Sequence, residues 1–413
     1  MQAPPKFQRG EQIHTLLRLT SVCSLFRSPA GQAFASVPQG PLARNSYPLN
    51  SSGFRAWMID AFHDDCGIPP TPNAVNSVLQ ALHAKAQFGP IAEAATGPRI
   101  VPGPDSIALD LADPNALCIE ISKQGWQPAD GLNFAFQRNP GTGALPPPET
   151  APDTQSIHRL RDLLNIPAGA PWTRILTWLT AALRPEGPYP ILILRGSSGA
   201  GKSTTARLLR SLLDPTQTPL ETLSAAPQQL EAAASRHRIL ACDDVDCIPR
   251  SIVSTLSKIA DHGAPVLLVL ASHFTGNIPE NIAHRGLIVD LAPPQNVRTL
   301  FALRREFESL HPHILGTLCS AASAALCGFE AAAESTYSRL ADATAWACAA
   351  ASALHLTAAE IRAAVALTPD IPEPIVPPKA VSTRAKHKTA ARSAPSPVPL
   401  RSPESSGGRS GLH

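Results

Sequence analysis

The chain has 413 residues, of which 44% are hydrophobic and 16% charged, with 43 prolines and a formal net charge of +3. This length allows two or three domains with a sizeable core. The mild positive charge is no argument by itself for a nucleic-acid partner. The longest wholly apolar run, 264–271, is too short to span a bilayer, and Arg18 interrupts the N-terminal apolar stretch. We therefore expect no membrane segment and no signal peptide.

Cysteine usage points to a reducing compartment. The 8 cysteines show no C-x-x-C spacing and lie in apolar or helical segments. This pattern predicts reduced, buried thiols, not zinc ligands or disulfides, and a cytoplasmic protein.

The first part of the chain, residues 13–138, is predicted to be a mixed α+β domain. Helical patterns at 54–62 and 73–86 alternate with short extended segments. The stretches 107–111 and 117–121, separated by Asp113-Pro114-Asn115, predict a β-hairpin. We find no catalytic constellation in this region, and the Pro- and Gly-rich residues 139–153 are predicted to be a linker.

The most informative motif lies in a second predicted domain, residues 154–295. A complete G-x-x-x-x-G-K-[ST] pattern at 196–204 follows the apolar run Ile191–Leu194 and precedes a helix-forming stretch, 205–213. A glycine-rich turn exposes backbone N–H groups to phosphate, and the helix adds its positive end. The pattern predicts a phosphate loop that binds ATP, with Lys202 on the outer phosphates and the Ser203 hydroxyl on Mg²⁺. The predicted loop residues are Gly196, Ser197, Ser198, Gly199, Ala200, Gly201, Lys202, Ser203 and Thr204.

A pair of carboxylates follows the next buried strand, 238–242. Magnesium prefers carboxylate and water ligands, and a strand ending in Asp places that group beside the loop. Asp243 is the predicted metal-side carboxylate, and Asp244 is predicted to orient or deprotonate the attacking water. The alternative is a surface acidic turn, Asp243 to Asp246, unrelated to catalysis.

Two further polar positions follow later elements. Ser272 comes after the apolar strand 266–271, where a polar side chain would face the γ-phosphate. The neighbouring His273 is interpreted as an ordinary loop histidine or, alternatively, as a catalytic group. Arg285 precedes the strand 286–291 and is either an arginine finger toward a neighbouring subunit's nucleotide or a helix-end residue that caps carbonyls.

Beyond residue 296 the sequence predicts a helical lid domain and then a tail. The lid, 296–368, contains alanine-rich helical patterns at 297–310, 314–327, 338–353 and 358–365. The tail, 369–413, is rich in Pro, Ser and Arg, and its composition predicts disorder. Its basic cluster, which contains no aromatic residue, is either solvated or an electrostatic contact for nucleic acid. The cluster comprises Lys379, Arg384, Lys386, Lys388 and Arg392.

These patterns together predict an α/β chain. Its core would be a P-loop NTPase with three layers around a parallel sheet, preceded by a mixed α+β region and followed by a helical lid.

The stretch 178–293 resembles the ATP-binding proteins of phages and integrating mobile elements, a family similar to superfamily 3 helicases and to the helicase part of phage primases. The similarity is carried by the segments 181–190, 196–204, 207–215, 277–279 and 291–294 together with Asp243 and Arg285, and it extends weakly on both sides. It implies an AAA+ type ATPase that assembles as a homo-oligomeric ring, such as a hexamer, and acts on DNA. Any DNA affinity that comes from the N-terminal region or from the basic cluster is predicted to be weak and independent of sequence.

The chain departs from that family at two places. Family members commonly carry about twenty residues, including a DNA-gripping hairpin, where residues 260–263 here run almost directly into 264–266. They also tend to end the following strand in Asn-Gly, whereas this chain has Ala271-Ser272. The first departure predicts little unwinding, and the second a weaker γ-phosphate sensor.

Three classes of function follow from these observations. The first is a DNA-associated ATPase of a mobile element. The second is a small-molecule kinase, because the same loop suits phosphotransferases, although it would need lid arginines and a further carboxylate that we cannot assign. The third is an ATP-binding switch or assembly protein that does not translocate DNA.

Overall fold

The computed structural model describes residues 9–38, 44–113, 117–131, 134–150, 154–274, 277–334 and 340–366. The chain divides into two units, Met1–Ile371 and Pro372–His413, and every described residue belongs to the first. The predicted tail, its basic cluster and the Pro114-Asn115 turn lie outside the described residues.

The N-terminal region packs helices on a small mixed sheet. Its elements are α1 (Arg9–Thr20), β1 (Ser24–Arg27), β2 (Ala33–Pro38), β3 (Arg44–Pro48), α2 (Ser52–Cys66), α3 (Pro72–Phe88) and β4 (Ala92–Glu93). The sheet order is β3-β2-β1-β4. Ser51 caps α2 by accepting the N–H of Phe54 at 3.1 Å. Both helices predicted at 54–62 and 73–86 are confirmed.

A second sheet contains the predicted hairpin. Residues 96–136 contain six strands: β5 (Thr96–Gly97), β6 (Ile100–Pro102), β7 (Ser106–Asp110), β8 (Leu117–Ser122), β9 (Gly125–Asp130) and β10 (Ala135–Phe136). Strands β6 to β9 form this sheet, whereas β5 and β10 pair with each other in a separate two-stranded sheet. Strands β6 to β9 pair as an antiparallel meander, with Ile107 opposite Ile121 and Leu109 opposite Ile119. The hairpin is confirmed. Its apolar face shares a core cluster with residues beyond position 154, so the two predicted domains are in direct contact.

The predicted linker is packed against its neighbours over its described part, 139–150. The Gly143 N–H donates to the Pro215 carbonyl at 2.8 Å, and the Leu145 N–H to the Leu111 carbonyl at 2.8 Å. Leu145 is itself buried. This segment therefore connects the N-terminal region to the elements after residue 154 by hydrogen bonds as well as by covalent linkage.

The candidate phosphate loop follows a strand of a parallel sheet. The elements are α4 (Thr154–Leu163), α5 (Ala170–Ala181), β11 (Ile191–Gly196), α6 (Lys202–Leu213), β12 (Glu221–Thr222), α7 (Pro227–Arg236), β13 (Leu240–Val245), α8 (Arg250–Lys258), β14 (Val266–Leu270), α9 (Glu280–Ala283) and β15 (Gly286–Leu291). The strand order is β12-β13-β14-β11-β15, and each neighbouring pair is parallel. The carboxyl ends of all these strands therefore meet at one edge.

Helices cover both faces of this sheet. Because side chains alternate along a strand, Leu192 and Leu194 enter one core cluster with α5 and α6. Ile191 and Ile193 enter a second cluster with α7, α8 and α9. Each fully buried Leu or Ile contributes about 2 kcal/mol, so the sheet is held from both sides.

The C-terminal helices differ from the predicted pattern. They are α10 (Leu300–Glu334), α11 (Ala341–Ala349) with a following 3₁₀ turn (Ala351–Leu354), and α12 (Ala358–Ala366). The separate helices predicted at 297–310 and 314–327 are wrong, because α10 runs through Pro312. Proline removes a backbone donor and normally interrupts a helix. Leu310 and Ile314 on either side are fully buried, so packing offsets the lost hydrogen bond.

Helix α10 is also, within the described part of the chain, long and apolar enough by length and composition to cross a membrane. Of its most apolar stretch, 56% is buried inside the protein. A core helix has this same character, and α10 packs against β8, β9, α4 and α6.

The cysteines are free thiols, but they are not all buried. Cys118, Cys242 and Cys319 are buried, whereas Cys247 and Cys327 are exposed. The prediction of burial is therefore wrong for these two, which lie just beyond β13 and on the outer face of α10.

Candidate functional site

The candidate phosphate loop turns sharply between β11 and α6. Gly196, Gly199 and Gly201 have φ of 149°, 78° and 80°, values that side-chain-bearing residues rarely adopt. A Cβ at Gly196 would also collide with the carbonyl of Leu291 on the neighbouring strand. These glycines let the backbone N–H groups and the start of α6 face the same space, which is the arrangement that binds an anion.

Lys202 is the first residue of α6, and its side chain folds back over the loop. Its Nζ donates to the carbonyls of Gly196 at 2.8 Å and Ser197 at 3.0 Å. The ammonium group is thus held above the loop, where an outer phosphate of a bound nucleotide would lie.

Ser203 and Asp243 are brought together from separate elements. The Ser203 hydroxyl donates to Asp243 Oδ1 at 2.9 Å. One hydroxyl and one carboxylate oxygen at this separation are the protein ligands that Mg²⁺ takes in phosphate-loop sites. The donor set therefore fits magnesium, with phosphate and water completing its coordination.

A bulge in β13 orients this carboxylate. Pairing with β14 shifts register between Cys242 and Val245, and Asp244 has φ of 52°. The Asp244 N–H donates to Asp243 Oδ1 at 2.9 Å. Bulges re-aim side chains at functional sites, and here Asp243 turns toward Ser203 while Asp244 is exposed. The sequence did not indicate this bulge.

Arg207 is a further charged neighbour that the motif did not single out. It lies one turn after Ser203 on α6, and its Nη2 is 3.9 Å from Asp243 Oδ2. The i to i+4 spacing from Ser203 is the signal that could have identified it, since such residues share one helix face.

A cavity of about 260 Å³ lies over these groups. Its described lining joins the loop to the ends of β13 and β14, and so brings together Lys202, Ser203, Asp243, Asp244 and Ser272. Within this lining, Lys202 is the cation and Asp243 and Asp244 are the carboxylates. The carboxyl edge of a parallel sheet is where such ligand sites form.

Arg285 lies near the amino ends of the strands, whereas the cavity lies at their carboxyl ends. Gly286 pairs with Ile191, whereas Leu291 pairs with Gly196 beside the loop. Five strand residues span roughly 17 Å, so Arg285 does not reach the cavity of its own chain. An arginine finger at this position would have to act on another subunit.

Arg285 is engaged within its own chain. It donates to both oxygens of Asp261, at 3.0 and 2.8 Å, and to the Asn281 carbonyl at 3.2 Å. The hydrogen bonds to Asp261 raise the pKa of Arg285. The carbonyl contact is the one that the capping interpretation expects.

His273 has a different partner from the candidate site residues. Its Nε2 lies 2.8 Å from Asp246 Oδ1, and both side chains are mostly exposed. In the described part of the chain, neither residue lines the cavity.

The connection between α8 and β14 is short. Residues Ile259–Gly263 form a π-helical turn that leads directly to β14 at Val266. The Tyr189 N–H donates to the Ala260 carbonyl at 2.7 Å. This segment, described throughout, contains no hairpin, as its sequence predicts.

Comparisons with known proteins identify no family. No protein-family model matches the chain, and no curated protein matches it. Among solved structures, "SCCmec type IV Cch - active helicase" is similar at 13% identity and a TM-score of 0.42, covering 82% of this chain and 71% of that one. The apo NrS-1 C-terminal region is similar at 10% identity and a TM-score of 0.40, covering 76% of this chain and 69% of that one. Identities and TM-scores this low carry no information on function.

Proposed function

We propose that this chain is a magnesium-dependent P-loop ATPase with a helicase-like core. The observation that carries the proposal is the 2.9 Å contact between Ser203 and Asp243 inside the cavity formed by the loop. A hydroxyl at the start of the phosphate-loop helix and a carboxylate near the carboxyl end of another strand of the same parallel sheet form the pair that phosphoryl transfer requires.

The chain's own groups have distinct roles in this proposal. The loop N–H groups and the start of α6 bind the phosphates, and Lys202 exchanges its two carbonyl contacts for phosphate oxygens. Ser203 and Asp243 hold Mg²⁺, which neutralises phosphate charge when bound. Asp244, exposed at the cavity, orients the attacking water, and Ser272 donates to the γ-phosphate.

We further propose that the protein associates with DNA as part of a mobile element. This step rests on the resemblance of 178–293 to phage and mobile-element ATPases. The short π-helical turn at Ile259–Gly263 favours an ATPase without processive unwinding, because it offers no element long enough to grip a strand.

The kinase alternative has less support. A phosphotransferase needs arginines that close over the phosphates and a carboxylate that binds the second substrate. In the described lining of the cavity, both carboxylates come from the end of β13, and no arginine is present.

The test is ATP turnover by the purified chain, with and without single-stranded DNA, for the parent and for Lys202→Ala. We expect magnesium-dependent hydrolysis by the parent, and loss of measurable ATP binding by the variant in calorimetry with its thermal midpoint retained. Lys123→Ala, on the exposed β8–β9 turn, is the matched control and should behave as the parent. A Lys202→Ala protein that binds ATP as tightly as the parent would show that the loop assignment is wrong.

A further inference from the structure

Arg99, far from the loop in sequence, is buried where the N-terminal region contacts the end of helix α6. Its side chain is 1% exposed. It donates to the carbonyls of Asp110 at 3.0 Å, Gly143 at 2.8 Å and Pro215 at 3.3 Å. Its φ is 67°, a conformation that costs a non-glycine residue free energy and persists only where the surroundings hold it.

The guanidinium group of Arg99 forms an ion pair with the carboxylate of Asp214. Arg99 Nε lies 3.5 Å from Asp214 Oδ1, and both side chains are almost fully buried. Arg210 Nη2 lies 3.8 Å from the other oxygen. Burial lowers the pKa of Arg99, and the charge of Asp214 acts in the opposite direction. A buried carboxylate requires such partners, because an unpaired charge in the interior is costly.

Asp214 in turn joins two elements of the candidate site. It is the C-cap of α6, and its Oδ2 accepts the N–H of Ile239, the residue before β13, at 3.1 Å. At the other ends of the same elements, Ser203 donates to Asp243. Helix α6 and strand β13 are thus tied to each other at both ends.

The same group of residues continues into the N-terminal region. Arg138 donates to both oxygens of Asp110, at 2.8 and 2.6 Å. Arg138 and Asn45, on β3, exchange two further hydrogen bonds at 2.6 and 2.8 Å. Buried polar groups joined by hydrogen bonds and ion pairs in this way favour one arrangement of the elements that they connect.

We propose that Arg99 is a positioning residue for the nucleotide site: by holding Asp214 it fixes helix α6 against strand β13, and with them the distance between Ser203 and Asp243. The inference rests on the proposed function. Helix α6 has 12 residues and moves as a rigid rod of about 18 Å. A shift at its Asp214 end therefore displaces Lys202 and Ser203 at its start, and the N-terminal region acts on turnover without contacting nucleotide.

The experiment compares Arg99→Met and Arg99→Lys with the parent in the full chain. Because small displacements at a reacting centre reduce rates strongly, we expect Arg99→Met to lower kcat roughly tenfold. KM for ATP should stay within about twofold, since the loop itself is intact. Arg99→Lys, which keeps the charge but cannot reach three carbonyls, should recover part of kcat.

Amide hydrogen exchange supplies a readout that does not depend on activity. Peptides spanning 237–243 should exchange about tenfold faster in Arg99→Met, because the Ile239 N–H loses its fixed acceptor. The matched control is Arg184→Met, which removes another buried arginine, one that donates to the carbonyls of Gly187 and Pro188. It should lower the thermal midpoint while leaving kcat as in the parent.

The outcomes separate the two proposals. A parent that does not hydrolyse ATP overturns the proposed function. A parent that does, with Arg99→Met matching it in kcat and in exchange at 237–243, overturns the role of Arg99 and leaves the function standing. Equal losses of kcat in Arg99→Met and Arg184→Met would also overturn it, because general destabilisation would then be the cause. If Arg99→Met does not fold, Arg99→Lys carries the same comparison with a smaller expected effect.

Discussion

Gly196, the first residue of the candidate phosphate loop, is constrained in two ways. It combines φ of 149° with a position where a Cβ would meet the Leu291 carbonyl. We expect Gly196→Ala to destabilise the fold by on the order of 2 kcal/mol or more, because both backbone strain and overlap oppose the methyl group. Thermal unfolding of the two proteins measures the difference.

Gly199 offers the matched control for that substitution. Its φ is 78°, but no atom lies within 4 Å of the position that a Cβ would take. Gly199→Ala should therefore lower the free energy of unfolding by only about 1 kcal/mol, the cost of the left-handed backbone conformation for a residue with a side chain. Equal costs at the two glycines would show that contact with Leu291 is unimportant.

At the scale of elements, α10 contacts α6 through a buried histidine. His311 Nε2 lies 3.1 Å from the Leu212 carbonyl, two residues before Asp214. Burial lowers the pKa of His311 from 6.5 to about 4. The contact thus links the C-terminal helices to the end of the candidate phosphate-loop helix.

This depressed pKa predicts a pH-dependent stability. Between pH 6.5 and 4 the unfolded chain binds a proton at His311 that the folded chain does not, so stability falls as the pH is lowered through this window. The expected loss in the free energy of unfolding is on the order of 3 kcal/mol.

Denaturant titrations at pH 7 and 4.5 measure this loss, and His311→Gln should reduce the difference between the two pH values. His158→Gln, on the exposed face of α4, should leave it unchanged. An unaltered pH dependence in His311→Gln would contradict the assignment.

For the whole molecule, the position of Arg285 makes assembly testable. If it completes a neighbouring subunit's site, Arg285→Ala should bind ATP but lose turnover by about a hundredfold or more. Mixing it with Lys202→Ala should restore part of the activity at mixed interfaces. Asp261→Asn is the control, because it breaks the intrachain ion pair and keeps the arginine. Full turnover by a protein that stays monomeric in light scattering with ATP and magnesium would contradict the ring.

The short connection before β14 makes a second prediction at this scale. We expect little strand displacement on a forked duplex with ATP and magnesium, because no hairpin reaches from that turn. DNA affinity should be largely independent of sequence and fall steeply with salt. Deleting 372–413 measures the share of the basic tail. Robust unwinding by the purified protein alone would show that another element grips the strand.

The sequence by itself determined the local chemistry of this protein. The glycine-lysine motif, the buried strand that leads into Asp243 and the short connection at 260–266 are encoded within a few residues each, so spacing and residue type suffice to predict them. The helices at 54–62 and 73–86 and the hairpin at 107–121 were predictable for the same reason. The predicted domain boundaries stay predictions.

Only the tertiary structure decided which distant residues meet. The strand order brings Asp243 Oδ1 within 2.9 Å of the Ser203 hydroxyl and places Arg285 near the amino ends of the strands. No local sequence pattern encodes that order. Helix α10 passes through Pro312 because burial on both sides outweighs the propensity that the sequence displays. Arg99 meets Asp214 only because two regions pack together. A buried ion pair of this kind depends on solvent exclusion, which is a property of the folded chain as a whole.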